Sequence, residues 1–182
     1  MTMLTRNKMI QQLRHAAEQD PRIIGLLDYG SSSEGRSDEW SDIDVALFIR
    51  DADLPSFEQN WKTWAAQFGD LLLAYPGANE HPWTVYRAEP VPLRVDYAFH
   101  PASQLDTMLT WPNSPTSVEA MVWVDKTGGA LATHVHQLVG KSLRPVDVEQ
   151  AFIRMSCSQQ PSLELMSAPL SPQKMDGYGL LN

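Results

Sequence analysis

Apolar residues recur at Leu4, Met9, Ile10, Leu13, Ala16 and Ala17 with polar positions between them, the spacing of a helix with one buried stripe. Asp20-Pro21 closes that helix, because a residue before proline avoids the helical region. Ile23 to Tyr29 (IIGLLDY) and Ile43 to Ile49 (IDVALFI) are then nearly continuous apolar runs of strand length, separated by the turn Gly30-Ser31-Ser32-Ser33-Glu34-Gly35. Pro55 to Phe68 returns to helical spacing, with Trp61, Trp64, Ala65 and Phe68 on one stripe. Leu71 to Ala74, Trp83 to Ala88 and Leu93 to Phe99, bounded by Pro, Gly and Asn, predict three further strands. Pro101 to Leu109 and Gly129 to Val139 predict helices, with a strand over Val118 to Val124 between them.

Strands and helices alternate, which favours an α/β (α+β) sheet fold over a sandwich or a bundle. Residues 1–150 carry this pattern. A single helix is predicted over Val148 to Met155, and residues 151–182 otherwise read as an irregular tail, rich in serine and proline.

The 182 residues fit one domain with a short appendage, and 43% hydrophobic content supports a real core. With 14 Lys and Arg against 22 Asp and Glu, the net charge of −8 argues against wrapping a nucleic-acid backbone by bulk positive charge. The single cysteine, Cys157, excludes an internal disulfide and a cysteine-rich zinc module. No apolar run approaches the roughly 20 residues that span a bilayer. Arg6, Lys8 and Arg14 interrupt the N-terminus where a signal sequence would need an apolar core. The expected setting is the cytoplasm, without a membrane partner.

The informative stretch is Gly30 to Phe48 (GSSSEGRSDEWSDIDVALF). Alternation along a strand puts Asp42 and Asp44 on one face and Ile43, Val45 and Leu47 on the other. Two carboxylates roughly 7 Å apart at Cα repel unless a cation lies between them. Oxygen-only ligation suits Mg²⁺ or Mn²⁺, with a phosphate completing the shell. The turn upstream offers Gly30 for close backbone approach and the amides and hydroxyls of Ser31, Ser32 and Ser33, which would face an anion if they open a helix. In Leu93 to Phe99, Asp96 shares a face with Arg94 and Ala98, opposite Val95, Tyr97 and Phe99. Beside the Asp42–Asp44 strand, it would gather three carboxylates around two cations, the clamp for in-line displacement at phosphorus.

Blander readings stand beside these. Asp42 and Asp44 also fit a solvated strand edge, and Asp96 an ion pair with Arg94 or Arg87. Glu89 is a second candidate base, and Asp125-Lys126 also reads as a turn after a strand. Gly140-Lys141-Ser142 lacks the earlier glycine of a P-loop, since Val135 stands there. Gly30 to Gly35 has Ser32 where a dinucleotide fingerprint needs glycine. His134 and His136, two apart on a helix, do not face one another. Trp61 and Trp64 read as core, whereas Trp83 and Trp111, near proline-rich loops, are candidates to line a pocket.

Glycine-serine, about a dozen residues, Asp-x-Asp on a strand and then a later strand Asp resembles the nucleotidyltransferase superfamily that includes DNA polymerase beta. Within it the chain looks like the small lincosamide and aminoglycoside nucleotidyltransferases. Tyr29-Gly30-Ser31 with Trp40-Ser41-Asp42-Ile43, the Val95-Asp96 strand, and Val124-Asp125-Lys126-Thr127-Gly128 carry that resemblance over residues 4–150. It implies Mg²⁺-dependent transfer of a nucleoside monophosphate, usually AMP from ATP or another nucleoside triphosphate, to a hydroxyl of a small molecule such as an antibiotic. Asp42, Asp44 and Asp96 would be the metal-binding and catalytic carboxylates, with two Mg²⁺ ions, and Asp96 the third metal ligand or the base. Gly30, Ser31 and Ser32 would hold the nucleotide. The resemblance also implies a mixed β-sheet flanked by helices, the nucleotidyltransferase-like fold, and a helical C-terminal domain after it. The short C-terminus here would then mean a homodimer partner completing the acceptor site, a minimal site, or a truncated C-terminal helical domain. The other readings are a protein nucleotidyltransferase of the toxin–antitoxin kind and a degenerate nucleotide-binding domain without activity.

Overall fold

The computed structural model describes residues 3–77 and 81–141. Helix α1 (Arg6–Gln19) opens where the Thr5 hydroxyl accepts the Lys8 N–H, and it buries Met9, Leu13 and Ala17. Lys126 closes it by donating to the carbonyls of Ala17 and Asp20 at 2.7 and 2.8 Å. Strands β1 (Ile23–Asp28) and β2 (Ile43–Ile49) follow, then α2 (Leu54–Ala65), whose Pro55 sits in the first turn, where its missing N–H does no harm. A 3-10 turn, Ala66–Phe68, extends α2. Beyond it come β3 (Leu71–Tyr75), β4 (Trp83–Tyr86), β5 (Leu93–Pro101), a 3-10 segment Ala102–Thr110, α3 (Val118–Met121), β6 (Val122–Asp125) and α4 (Ala130–His136).

The six strands form one mixed sheet in the order β3-β4-β5-β2-β1-β6, with β2 and β5 parallel and the other pairs antiparallel. One face, carrying Ile43, Val45, Leu47, Val95 and Tyr97, packs against Met9 and Leu13 of α1 and Phe57, Trp61 and Trp64 of α2. On the other face Leu27, Ala46, Phe48 and Ala98 meet Met108, Met121, Leu131 and Val135. This second cover reaches β2 and β5 only from Ala46 and Ala98 onward. The preceding residues on that face are Asp42, Asp44, Arg94 and Asp96, so burial stops where the carboxylates begin.

Three local expectations change. Val118 to Val124 is not one strand, because the Ser117 hydroxyl accepts the Ala120 N–H and caps one helical turn, leaving Val122 to begin β6. Ser31 to Ser33 do not open a helix; residues 31–35 are successive turns, closed by bonds from Gly35 N–H to Ser32 and from Arg36 N–H to Ser31. Pro101 to Leu109 is a 3-10 segment broken at Gln104 rather than an α-helix. The helix expected over Val148 to Met155, the tail at 151–182, Ser142 and Cys157 lie outside the described residues. Among the described residues no helix is long and apolar enough to cross a membrane.

Candidate functional site

The parallel register of β2 and β5 sets Asp44 directly beside Asp96. Ile43 pairs with Val95, which places Asp42 and Arg94 at the preceding step. Arg94 Nη2 donates to Asp96 Oδ1 at 2.6 Å, the ion-pair partner expected for Asp96, while the strand register sets Asp96 beside Asp44. Burial raises the Asp44 pKa to about 6, with Asp96, Asp28 and Asp42 pushing the same way and Arg94 opposing. Partial desolvation also raises Asp42, at the solvent rim, while Arg94 and Arg6 pull it back. The bond to Asp96 strengthens the protonated form of Arg94.

Gly30 closes the other side. A Cβ there would lie 2.1 Å from Asp44 Oδ2 and 2.8 Å from its Cγ, so no side chain fits between turn and carboxylate. The turn is tied from several directions. Asp28, 1% exposed, accepts the Gly30 N–H at 3.0 Å. Burial raises the Asp28 pKa, opposed by the Gly30 N–H, the Arg6 charge and the Ser32 hydroxyl. Ser33 Oγ donates to Gly30 O at 2.9 Å. Arg6 reaches from α1 to Ser32 Oγ and to Ser41 O, both at 3.1 Å, joining the turn to the entry of β2. The segment after Trp111 backs the turn: Asn113 donates to Tyr29 O, Ser114 N–H to Glu34, and Thr116 N–H to Ser33 O at 2.9 Å.

Gly30 therefore borders Asp44, with Asp42 at the rim and Asp96 across the strand pair, while Ser32 bonds Arg6 and Ser37 within the turn. Other candidates fall elsewhere. Asp125 accepts from Thr127 N–H at 2.8 Å and Ala132 N–H at 3.1 Å, the turn reading, and Lys126 caps α1. Glu89 is exposed, its N–H bonded to Leu4 O beyond the end of β4. His134, on α4, bonds Asp106 of the 3-10 segment at 2.6 Å rather than any of the strand carboxylates. Trp111 packs on Tyr29, Phe48 and His100 beside the turn, whereas Trp83 stands on the open sheet face. A cleft of about 920 Å³ between α1 and α2, lined by His15, Arg22 and Trp64, lies on the opposite side of the sheet.

Sequence reasoning passed over Asp28 and the part Arg6 plays in tying the turn. The signal for Asp28 was an acid ending an otherwise apolar strand, since a buried carboxylate needs donors close by.

Among the described residues no three His, Cys, Asp or Glu side chains gather into a ready-made ion cage. Asp42 and Asp44 form an all-oxygen pair under like-charge pressure. That donor set fits Mg²⁺ once phosphate and water oxygens complete the octahedron.

A search of curated proteins returns no match to the chain. The family model for streptomycin adenylyltransferase matches residues 3–134, a span that runs from α1 through β6 into α4 and takes in the turn, both carboxylate strands and the segment behind them. By that match the chain belongs to the streptomycin adenylyltransferase family of antibiotic nucleotidyltransferases.

Proposed function

We propose that the protein transfers AMP from ATP to a hydroxyl of an aminoglycoside. The observation that carries this reading is the direct pairing of Asp44 with Asp96 beneath a glycine that leaves no room for a side chain. The family match favours an aminoglycoside acceptor over the lincosamide that the local sequence runs resemble. The reaction would take place in the cytoplasm, where ATP and Mg²⁺ are at hand.

In this reading Asp42 and Asp44 hold Mg²⁺ together with phosphate oxygens, and Asp96 supplies the third carboxylate. Bound Mg²⁺ would neutralise charge on the triphosphate and on the departing pyrophosphate. Gly30 lets the triphosphate lie against the backbone, and Ser31 and Ser32 donate to its oxygens. Because these serines lie in turns, their amides act locally and without a helix dipole. Asp96, oriented by Arg94, accepts the proton of the acceptor hydroxyl. The hydroxyl oxygen bonds to the α-phosphorus, the bond from that phosphorus to the oxygen bridging to the β-phosphorus breaks, and pyrophosphate leaves.

Incubation with ATP, Mg²⁺ and streptomycin or lincomycin, followed by mass spectrometry, tests the proposal. Adenylylated streptomycin and pyrophosphate are the expected products. Label on a copurifying protein would replace the reading with protein nucleotidylation, and nucleotide binding without transfer to any acceptor would replace it with a degenerate domain.

A further inference from the structure

Four adjacent strands place one line of side chains on the open side of the sheet: Tyr75 on β3, Trp83 on β4, Asp96 on β5 and Asp44 on β2. Each is the direct cross-strand partner of the next, so all four project from one face. The opposite face is marked by Thr84 and Tyr97, which bond to each other at 3.3 Å in the core. The next row on the open face is Leu73, Val85 and Arg94. Tyr75 and Leu73 are 50% and 47% exposed, large values for such side chains in a paired strand.

The rings of Tyr75 and Trp83 lie 5.4 Å apart. The Arg94 guanidinium sits 5.0 Å from the Trp83 ring centroid while it bonds Asp96 at 2.6 Å. Arg94 therefore fills the corner between Trp83 and Asp96, leaving the outer side of the Trp83–Tyr75 pair as the part of the row open to a ligand.

We propose that the Tyr75–Trp83 end of this row is the acceptor subsite, taking a saturated ring with a guanidino or ammonium substituent and so presenting the acceptor's hydroxyl to Asp96. The inference rests on the proposed nucleotidyl transfer. The row continues directly from the carboxylates, and it spans three strand spacings, about 14 Å, enough for a molecule of two or three linked rings. The faces of Tyr75 and Trp83 favour a cationic substituent over an anionic one. The aromatic pair supplies the apolar contact that a ring's C–H face needs. Trp83 would therefore be a specificity-determining residue, set apart from the machinery that binds nucleotide.

The test is ¹⁵N NMR of the full chain with Mg²⁺ and a non-hydrolysable ATP analogue, the Trp83 indole signal being assigned with Trp83→Phe. The analogue should move the Gly30 and Ser31 amides, and streptomycin added next should move the Trp83 indole saturably. In turnover, Trp83→Ala should raise KM for streptomycin tenfold or more, with kcat within about threefold and analogue affinity unchanged, and Trp83→Phe should recover part of the loss. Streptomycin binding with a silent Trp83 overturns the subsite and leaves the nucleotide reading standing. A Trp83 signal that shifts with protein concentration alone assigns the face to a second copy of the chain and also overturns it. An analogue that moves neither Gly30 nor Ser31 overturns the transfer reading and the subsite with it.

Discussion

Gly30 and Asp44 touch so closely that a methyl group on Gly30 would lie 2.1 Å from the Asp44 carboxylate. Gly30→Ala must push that carboxylate away from its place beside Asp96, and because the methyl would also lie 2.9 Å from Asp44 Cβ, the turn must draw back slightly from the strand. The expected outcome is a loss of turnover of about 100-fold or more, with an unchanged far-ultraviolet circular dichroism spectrum. Near-normal turnover would show that the turn does not position Asp44.

Asp44 also sets a trade between function and stability. In the metal-free protein its folded pKa is about 6, above the ordinary 3.8, so the native state binds the proton more tightly than the unfolded chain. Stability from this group is fully present below about pH 4 and declines as pH rises through about 6. At pH 7.5 Asp44 therefore carries an ionisation penalty of about 1 kcal/mol after allowance for its solvent contact. Asp44→Asn should raise the melting temperature at pH 7.5, with the gain gone at pH 4, while abolishing transfer. A variant less stable at both pH values would contradict this.

Asp28 offers a contrast, since it shapes the turn from behind. Asp28→Ala leaves the Gly30 N–H without its partner in a buried setting, a loss of about 1–3 kcal/mol by urea denaturation. Asp28→Asn keeps an acceptor oxygen and should lose less in stability and in nucleotide affinity. Equal losses in the two variants would assign the effect to charge rather than to the bond.

Lys126 separates scaffold from site. Its ammonium serves the Ala17 and Asp20 carbonyls at the end of α1, so Lys126→Met should lower stability by about 1 kcal/mol. Turnover under conditions where the variant is folded should match the wild type. A specific loss of kcat would bring the Val124–Gly128 run into the chemistry.

The strands that carry the carboxylates were legible because their apolar residues form continuous or alternating runs, and Asp42, Asp44 and Asp96 stand out against that pattern. The alternation of elements marked a sheet covered by helices, but not the antiparallel pairing of β1 with β2 and β6. The ties that hold the turn were not legible. Arg6 acts on Ser41 across 35 positions, and Thr116 and Ser114 reach Ser33 and Glu34 across about 80; no local pattern records such pairings. Asp28 looked like the polar end of a strand, and only its burial shows that it must be bonded. The strand expected over Val118 to Val124 failed because apolar spacing alone does not separate one helical turn from an extended run, and the Ser117 cap decided it.

The most direct measurement of the central claim is calorimetric titration of ATP into the protein, with Mg²⁺ and again with EDTA, repeated on Asp44→Ala. The account predicts saturable binding that requires Mg²⁺ and disappears in the variant, with the variant's fold intact by circular dichroism. ATP binding of equal strength in EDTA, or retained in Asp44→Ala, would contradict the assignment of Asp42 and Asp44 as the seat of a metal-bound nucleotide.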